Sequence, residues 1–164
     1  SRGSVLPIFQ EHIKNKKDFF PITDKRMTRF WFTIENSVKF VVECLKNMRG
    51  GEIFVPKIPS IKIVDLAKAM DGKKKLKIIG IRPGEKLHEL MCPNESSINT
   101  LEYKKFFIIF SPDTNLDKKI REFKRTTKEI GKKVSEDFEY NSYNNNNFLS
   151  AGDIKKLNKK LKLV

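Results

Sequence analysis

Arg82 and Glu85 stand three residues apart around a proline-glycine bend, in the stretch Ile81-Arg82-Pro83-Gly84-Glu85-Lys86-Leu87-His88-Glu89. A guanidinium offers a planar fork of donors that fits phosphate oxygens, and a carboxylate accepts hydrogen bonds from sugar hydroxyls. The pair suits a ligand that is anionic at one end and hydroxylated at the other, as a nucleotide sugar is. Taken alone, the same residues also suit an ordinary surface turn with an Arg-Glu pair. Upstream, Leu76-Lys77-Ile78-Ile79-Gly80-Ile81 reads as a short buried strand. Downstream, Glu85 to Met91 reads as the first turns of a helix, which would put the motif on a strand-to-helix loop.

The elements that must position this loop follow from the spacing of apolar residues. Ile8, Phe9 and Ile13 recur at helical spacing within Val5 to Lys14, so a helix starts near Pro7 and ends in the basic turn Asn15 to Lys17. Phe19 to Asp24 reads as extended, with Pro21 marking an edge or a break, and Met27 to Thr33 is strand-like. Thr33 or its neighbour opens a helix whose Val38, Val41, Val42, Leu45 and Met48 form a core face, closed by Gly50-Gly51. Glu52 to Pro56 is a short strand, and Ile63, Leu66, Ala67 and Met70 line a short helix. Phe106 to Phe110 is a strand within Tyr103 to Phe110. From Asn115 to Lys133 the positions of Leu116, Ile120, Phe123 and Ile130 suit a helix, while the polarity also suits a long excursion. Asn141 to Asn147 is an Asn-rich loop, and Ser150-Ala151-Gly152-Asp153 resembles a capping box ahead of Ile154, Leu157 and Leu161. No internal repeat is present. Short strands alternating with helices give an α/β or α+β class.

At 164 residues the chain is long enough for one domain and short for two. Lys and Arg outnumber Asp and Glu by 34 to 20, a net charge of +14 that favours anionic partners without identifying the anion. Lysines are spread along the whole chain and no module of the usual nucleic-acid readers is visible, so nucleic-acid binding is not expected as the main activity. Cys44 and Cys92 lie far apart with neither disulfide nor zinc spacing, which fits a reducing, cytoplasmic setting. His12 and His88 have no neighbours at metal-ligand spacing, and no metal site is expected. With no long apolar run and no signal-peptide pattern, a soluble chain without a membrane partner is expected. The opening Ser1-Arg2-Gly3-Ser4, with no Met, reads as a start in the middle of a fold.

Several segments, in order, resemble the C-terminal half of the nucleotide-sugar 4,6-dehydratases of the extended short-chain dehydrogenase/reductase superfamily. They are Ser1 to Val5, Pro21 to Asp24, Arg26 to Trp31, Gly50 to Lys57, Ile63 to Ala69 and Gly80 to Glu89, with Asp137 to Ser142 and Phe148 to Ser150 beyond them. The nearest subtype is the inverting UDP-N-acetylglucosamine 4,6-dehydratases that open the pseudaminic acid pathway. Relatives in capsule and O-antigen polysaccharide biosynthesis stand close by. The likeness is weakest from Pro93 to Lys133.

The resemblance implies a UDP-sugar cleft in which Val5, Leu6 and Pro21-Ile22-Thr23 flank the uridine, Arg29 and Arg82 hold the pyrophosphate, and Glu85 lies near the ribose hydroxyls. Arg29 also fits a partly buried structural arginine beside Phe30 or Trp31, while Lys57 and Lys86 read as solvated charges near the cleft. Such enzymes bind NADP through a glycine-rich loop after a first strand. This sequence has no G-x-G-x-x-G and no Tyr-x-x-x-Lys pair, because Tyr103 is followed directly by Lys104 and Lys105. The resemblance therefore implies an α/β chain in which 1–164 form the C-terminal substrate-binding portion with the last Rossmann elements. The N-terminal NADP-binding part would be absent, with no catalytic residue and no cofactor on this chain. It makes Glu52 to Val55 a strand of the cofactor domain's parallel sheet, with the Val38 helix layered against it. In the complete enzyme it implies a homo-oligomer that uses NADP to oxidise C4, removes water across C5 and C6, returns the hydride to C6 and inverts C5. Two other classes stay open: a stand-alone sugar-nucleotide binding or regulatory subunit, and a basic interaction module.

Overall fold

Local signals set most of the element boundaries in the computed structural model, which describes residues 4–161; Ser1, Arg2 and Gly3 of the opening motif lie outside the described residues. In chain order the elements are α1 (Val5–Lys14), β1 (Phe19–Ile22), β2 (Thr28–Phe30), α2 (Ile34–Asn47), β3 (Ile53–Pro56), β4 (Ser60–Lys62), α3 (Ile63–Asp71) and β5 (Lys75–Ile78). They continue with β6 (Leu90–Cys92), a 3₁₀ segment (Asn94–Asn99), β7 (Thr100–Glu102), β8 (Phe106–Ile109), α4 (Leu116–Thr127), β9 (Lys132–Lys133), β10 (Tyr140–Asn141) and α5 (Ala151–Lys160). The chain divides into two units. One comprises the described parts of Ser1–Phe30 and Asn145–Val164 together with Pro59–Glu89, and the other comprises Trp31–Ile58 and Leu90–Asn144.

In the first unit β1 runs parallel to β5, Phe19 opposite Lys75 through Ile22 opposite Ile78, and β2 runs antiparallel to β4. Pro21 lies inside β1, where a two-stranded ladder leaves an edge that tolerates a missing N–H. Helix α3 buries Ile63, Leu66, Ala67 and Met70, as their spacing predicts, and α5 buries Ile154. Phe9 of α1 rests on Phe20 of β1 with ring centroids 4.6 Å apart. The capping box at the head of α5 is present in both directions: the Ser150 hydroxyl accepts from the Asp153 N–H, and the Asp153 carboxylate accepts from the Ser150 N–H. β5 departs from expectation, since Ile78, Ile79 and Ile81 are all about half exposed. Its one described strand partner is β1.

The second unit holds a four-stranded antiparallel sheet in the order β3-β8-β7-β9, and β10 pairs with β6. All of β8 is buried. Its Phe106 and Ile108 belong with Leu101, Tyr103, Phe110 and Phe123 to a core on which Phe40, Phe54, Leu116 and Ile120 pack. Of residues 115–133 only Leu116–Thr127 are a helix: Asn115 caps α4 by accepting from the Lys118 N–H and Phe123 is fully buried, whereas Lys128 ends it at a φ of 56°, Ile130 is exposed and Lys132–Lys133 form β9. Thr33 likewise caps α2 by accepting from the Asn36 N–H.

β3 pairs antiparallel with β8, an apolar neighbour of matching length within this chain, and its other edge has no described strand partner. The face of α2 read as core is exposed, with Val38 at 58%, Val41 at 54% and Leu45 at 64%. The side chain that α2 turns toward the core is Phe40, tilted on Phe106 at 6.3 Å.

Tyr103 is buried with its hydroxyl unpartnered, and it lies so close to Gly131 that a Cβ there would meet the phenol at 2.6 Å. Glu52, beside the glycine turn, accepts from the Arg49 and Gly50 N–H groups and faces Lys119 at 3.6 Å. No helix of the described residues is long and apolar enough to cross a membrane.

Candidate functional site

The chain from Arg82 to Glu89 is not a helix. Its carbonyls serve β2 instead of a helical ladder: the Arg29 guanidinium donates to the oxygens of Leu87 at 3.1 Å and Lys86 at 3.0 Å, and the Thr28 N–H donates to Leu87 at 3.2 Å. Once those acceptors are spent on a neighbouring strand, the i to i+4 pattern cannot form. At the tip, the Glu85 N–H donates to the Arg82 oxygen at 3.0 Å, and Glu85 accepts from the Arg82 N–H at 3.3 Å. Gly80 and Gly84 carry positive φ values of 85° and 79°, a conformation that side chains with a Cβ rarely adopt. The result is a tight turn whose Arg82 side chain is exposed.

Several of the expected site residues meet in the first unit. Thr23, just past the end of β1, reaches Glu85 through a long 3.5 Å hydroxyl contact, so β1 and the loop converge at Glu85. Upstream the loop is tied to the same strand, since the Ile79 N–H donates to the Ile22 oxygen at 2.9 Å. Ile22 is fully buried, while Pro21 and Thr23 on either side of it are partly exposed. Val5 and Leu6 occupy the first turn of α1, which packs on β1 through Phe9.

Arg29 is deeply engaged: beyond Lys86 and Leu87 it donates to the Thr28 oxygen at 2.7 Å and faces Glu89 at 3.8 Å. Of the five N–H donors of a guanidinium, these contacts occupy most. Lys57 is not a solvated charge, because it pairs with Glu102 at 2.6 Å and lies over the Phe107 ring in the second unit, whereas Lys86 is exposed. A cavity of about 220 Å³ lined by Lys57, Glu102, Tyr103, Glu129 and Lys132 also belongs to the second unit, and it takes in none of the expected site residues.

His88 and Glu89, to which the sequence reading gives no site role, complete the site's frame. The His88 ring nitrogen Nδ1 is 2.8 Å from the Thr28 hydroxyl, and Glu89 accepts from the Phe30 N–H at 2.8 Å. The signal available for them was slight: a polar pair directly after the Arg-Glu motif, masked by its fit to a helix. Burial, and then the charges of Arg29 and Arg26, lower the His88 pKa below the usual histidine value. Asp24 holds Arg26 through a 2.8 Å ion pair, and that hydrogen bonding lowers its carboxyl to about 2.

The positive-φ glycines lie between α2 and β3 and in the loop after β5. Neither turn opens a helix immediately after a strand, as a dinucleotide cradle requires.

Residues 1–111 match the family model described as polysaccharide biosynthesis protein. The chain belongs to that family. The UDP-N-acetylglucosamine 4,6-dehydratase (inverting) of Campylobacter jejuni serotype O:2 is 48% identical over 146 residues, covering 88% of this chain and 43% of that protein. Its counterpart from serotype O:23/36 is 45% identical over 94% of this chain and 46% of its own length. These are the subtype that the sequence resemblance named. A UDP-glucose 4-epimerase of Rickettsia bellii is 42% identical over 99 residues, 58% of this chain and 29% of that protein. Among solved structures, Pen from Bacillus thuringiensis superposes with a TM-score of 0.78 at 29% identity, covering all of this chain and 48% of that one. The chain thus spans about half the length of the Campylobacter dehydratases and of Pen, and it shares its α/β fold with Pen.

Proposed function

We propose that this chain is the nucleotide-sugar-binding portion of a UDP-N-acetylglucosamine 4,6-dehydratase of the C5-inverting type, serving surface-glycan or flagellin-glycan biosynthesis. The observation that carries the proposal is the identity with the Campylobacter dehydratases across 88% of the chain. The second of them, matched over 94% of the chain, takes in both β1 and the Arg82–Glu89 loop wherever the match's ends fall. The loop's chemistry agrees with it. Exposed Arg82 presents a fork of donors to a diphosphate, Glu85 at the tip accepts from ribose hydroxyls, and the Pro21-Ile22-Thr23 backbone, with Val5 and Leu6, flanks the base. Arg29 adds positive charge to the diphosphate site while its donors hold the loop.

The residues present do not fit NADP, for they offer neither a glycine cradle at a helix start nor a Tyr-x-x-x-Lys pair, so no step is assigned to that cofactor on this chain. Redox chemistry at C4 and loss of water across C5 and C6 belong, in this reading, to the complete, homo-oligomeric enzyme in the cytoplasm. Two unpaired cysteines are consistent with that compartment.

Calorimetry tests the assignment: UDP and UDP-N-acetylglucosamine bind weakly and NADP does not. Tight NADP binding with no response to UDP overturns it. The Rickettsia match favours a second reading, a UDP-sugar epimerase portion. Pairing the chain with the complementary half of a relative and analysing the product distinguishes the two, since a dehydratase releases water and an epimerase does not.

A further inference from the structure

We propose that Glu89 is a positioning residue for Arg82, acting through Arg29 and the extended backbone between them. The inference rests on reading the Arg82–Glu85 turn as the holder of diphosphate and ribose. Arg82 is exposed, and apart from one long 3.5 Å contact from the Thr23 hydroxyl its turn is closed upon itself, through the two contacts with Glu85. Something else must fix where that turn points.

Upstream the anchor is the bond from Ile79 to Ile22, after which Gly80 interrupts the extended backbone with its positive φ. Downstream the anchorage is dense. Lys86 and Leu87 offer their oxygens to Arg29, Leu87 also accepts from the Thr28 N–H, His88 meets the Thr28 hydroxyl, and Glu89 accepts from the Phe30 N–H. Every residue from 86 to 89 is thereby tied to β2.

Glu89 closes this set from both sides. One carboxylate oxygen takes the Phe30 N–H at 2.8 Å, and the other faces Arg29 Nε at 3.8 Å. It is the carboxylate in ion-pair reach of Arg29 among the described residues. Without it, a guanidinium that is mostly buried among backbone oxygens loses its counter-charge, and the loop loses its last tether. Arg82 then samples orientations in which its fork no longer meets a diphosphate, while the base-flanking β1 backbone is untouched.

The test uses the full chain as wild type and as Glu89→Ala, Glu89→Gln, Arg82→Ala and the double variant Glu89→Ala/Arg82→Ala. UDP and uridine affinities are measured by calorimetry, and amide hydrogen exchange is measured without ligand. Glu89→Ala weakens UDP roughly tenfold, the loss of one charge-assisted contact, and leaves uridine unchanged. In the Arg82→Ala background it has no further effect, because the residue it positions is gone. Without ligand, the Arg82 and Glu85 amides exchange faster in Glu89→Ala.

Additive losses in the double variant, an equal loss of uridine affinity, or unchanged exchange at Arg82 and Glu85 each overturn the proposal. Should Glu89→Ala fail to fold, Glu89→Gln carries the same test, since it keeps an acceptor for Phe30 and removes only the charge facing Arg29. If the wild type binds no UDP, the reading of the site fails by itself. The exchange rates then still decide whether Glu89 positions the loop.

Discussion

Arg82 is legible in the sequence because its chemistry is its own: an exposed guanidinium beside a proline-glycine bend needs no tertiary partner to be noticed. Arg82→Ala is expected to lower UDP affinity about tenfold or more, with little change in unfolding midpoint, because it removes a charge-assisted contact worth roughly 1.5 to 3 kcal/mol. Arg82→Lys keeps the charge but not the bidentate fork, so it recovers only part of that loss. His88 is the opposite case, for its role depends on Thr28, sixty residues away, and nothing local announces that pairing. Its folded pKa is depressed by burial and by Arg29. The folded form therefore resists protonation, and the stability it contributes is present above the ordinary histidine pKa of about 6.5 and is lost as pH falls below it. Nuclear magnetic resonance of the His88 ring should place its midpoint below that value. A midpoint above it would mean that Asp24, rather than burial and Arg29, dominates the ring's surroundings.

At the level of elements, what could be read was whatever is decided by neighbours in sequence. The α5 capping box is an example, and Ser150→Ala should destabilise the first unit by about 1 kcal/mol, read as a shift in urea midpoint. Residues 115–133 were ambiguous because α4 is polar on most of its surface. Burial of Phe123, with Leu116 and Ile120 packed on the same core, settled the matter, and that packing is invisible in a window of sequence. Glu85 to Met91 failed for a different reason. The stretch has helical spacing, yet Arg29 and Thr28 capture its carbonyls, so a long-range partner overrode local propensity. The α2 stripe was recognised correctly as apolar, but which face finds a partner depends on what surrounds the helix.

For the molecule as a whole, that stripe sets solution behaviour. Val38, Val41, Val42 and Leu45 are exposed together, and β3, at the end of its sheet, carries an exposed Ile53 and an edge with no described partner. Apolar faces and open strand edges of this kind drive association. The chain alone is expected to self-associate with rising concentration in light scattering, and Val41→Lys with Leu45→Lys should reduce it without changing helix content. Co-expression with the complementary half of a relative should restore solubility and, where the halves fit, dehydratase activity. A monodisperse monomer with one cooperative unfolding transition would count against both expectations.

The division into two units also gives the protein an uneven optical signature. Tyr103, Tyr140 and Tyr143 all belong to the second unit, and the first has phenylalanine but no tyrosine. Phenolate absorbance therefore reports on one unit and is silent on the other, where the nucleotide is proposed to bind. Burial, with Glu129 adding to it, pushes Tyr103 up to about 12, whereas an unfolded tyrosine ionises near 10. The folded state keeps that proton longer, so alkali in the interval between the two values pulls the second unit toward unfolding. A titration followed at once by phenolate absorbance and far-ultraviolet circular dichroism would show whether the two units melt together or apart.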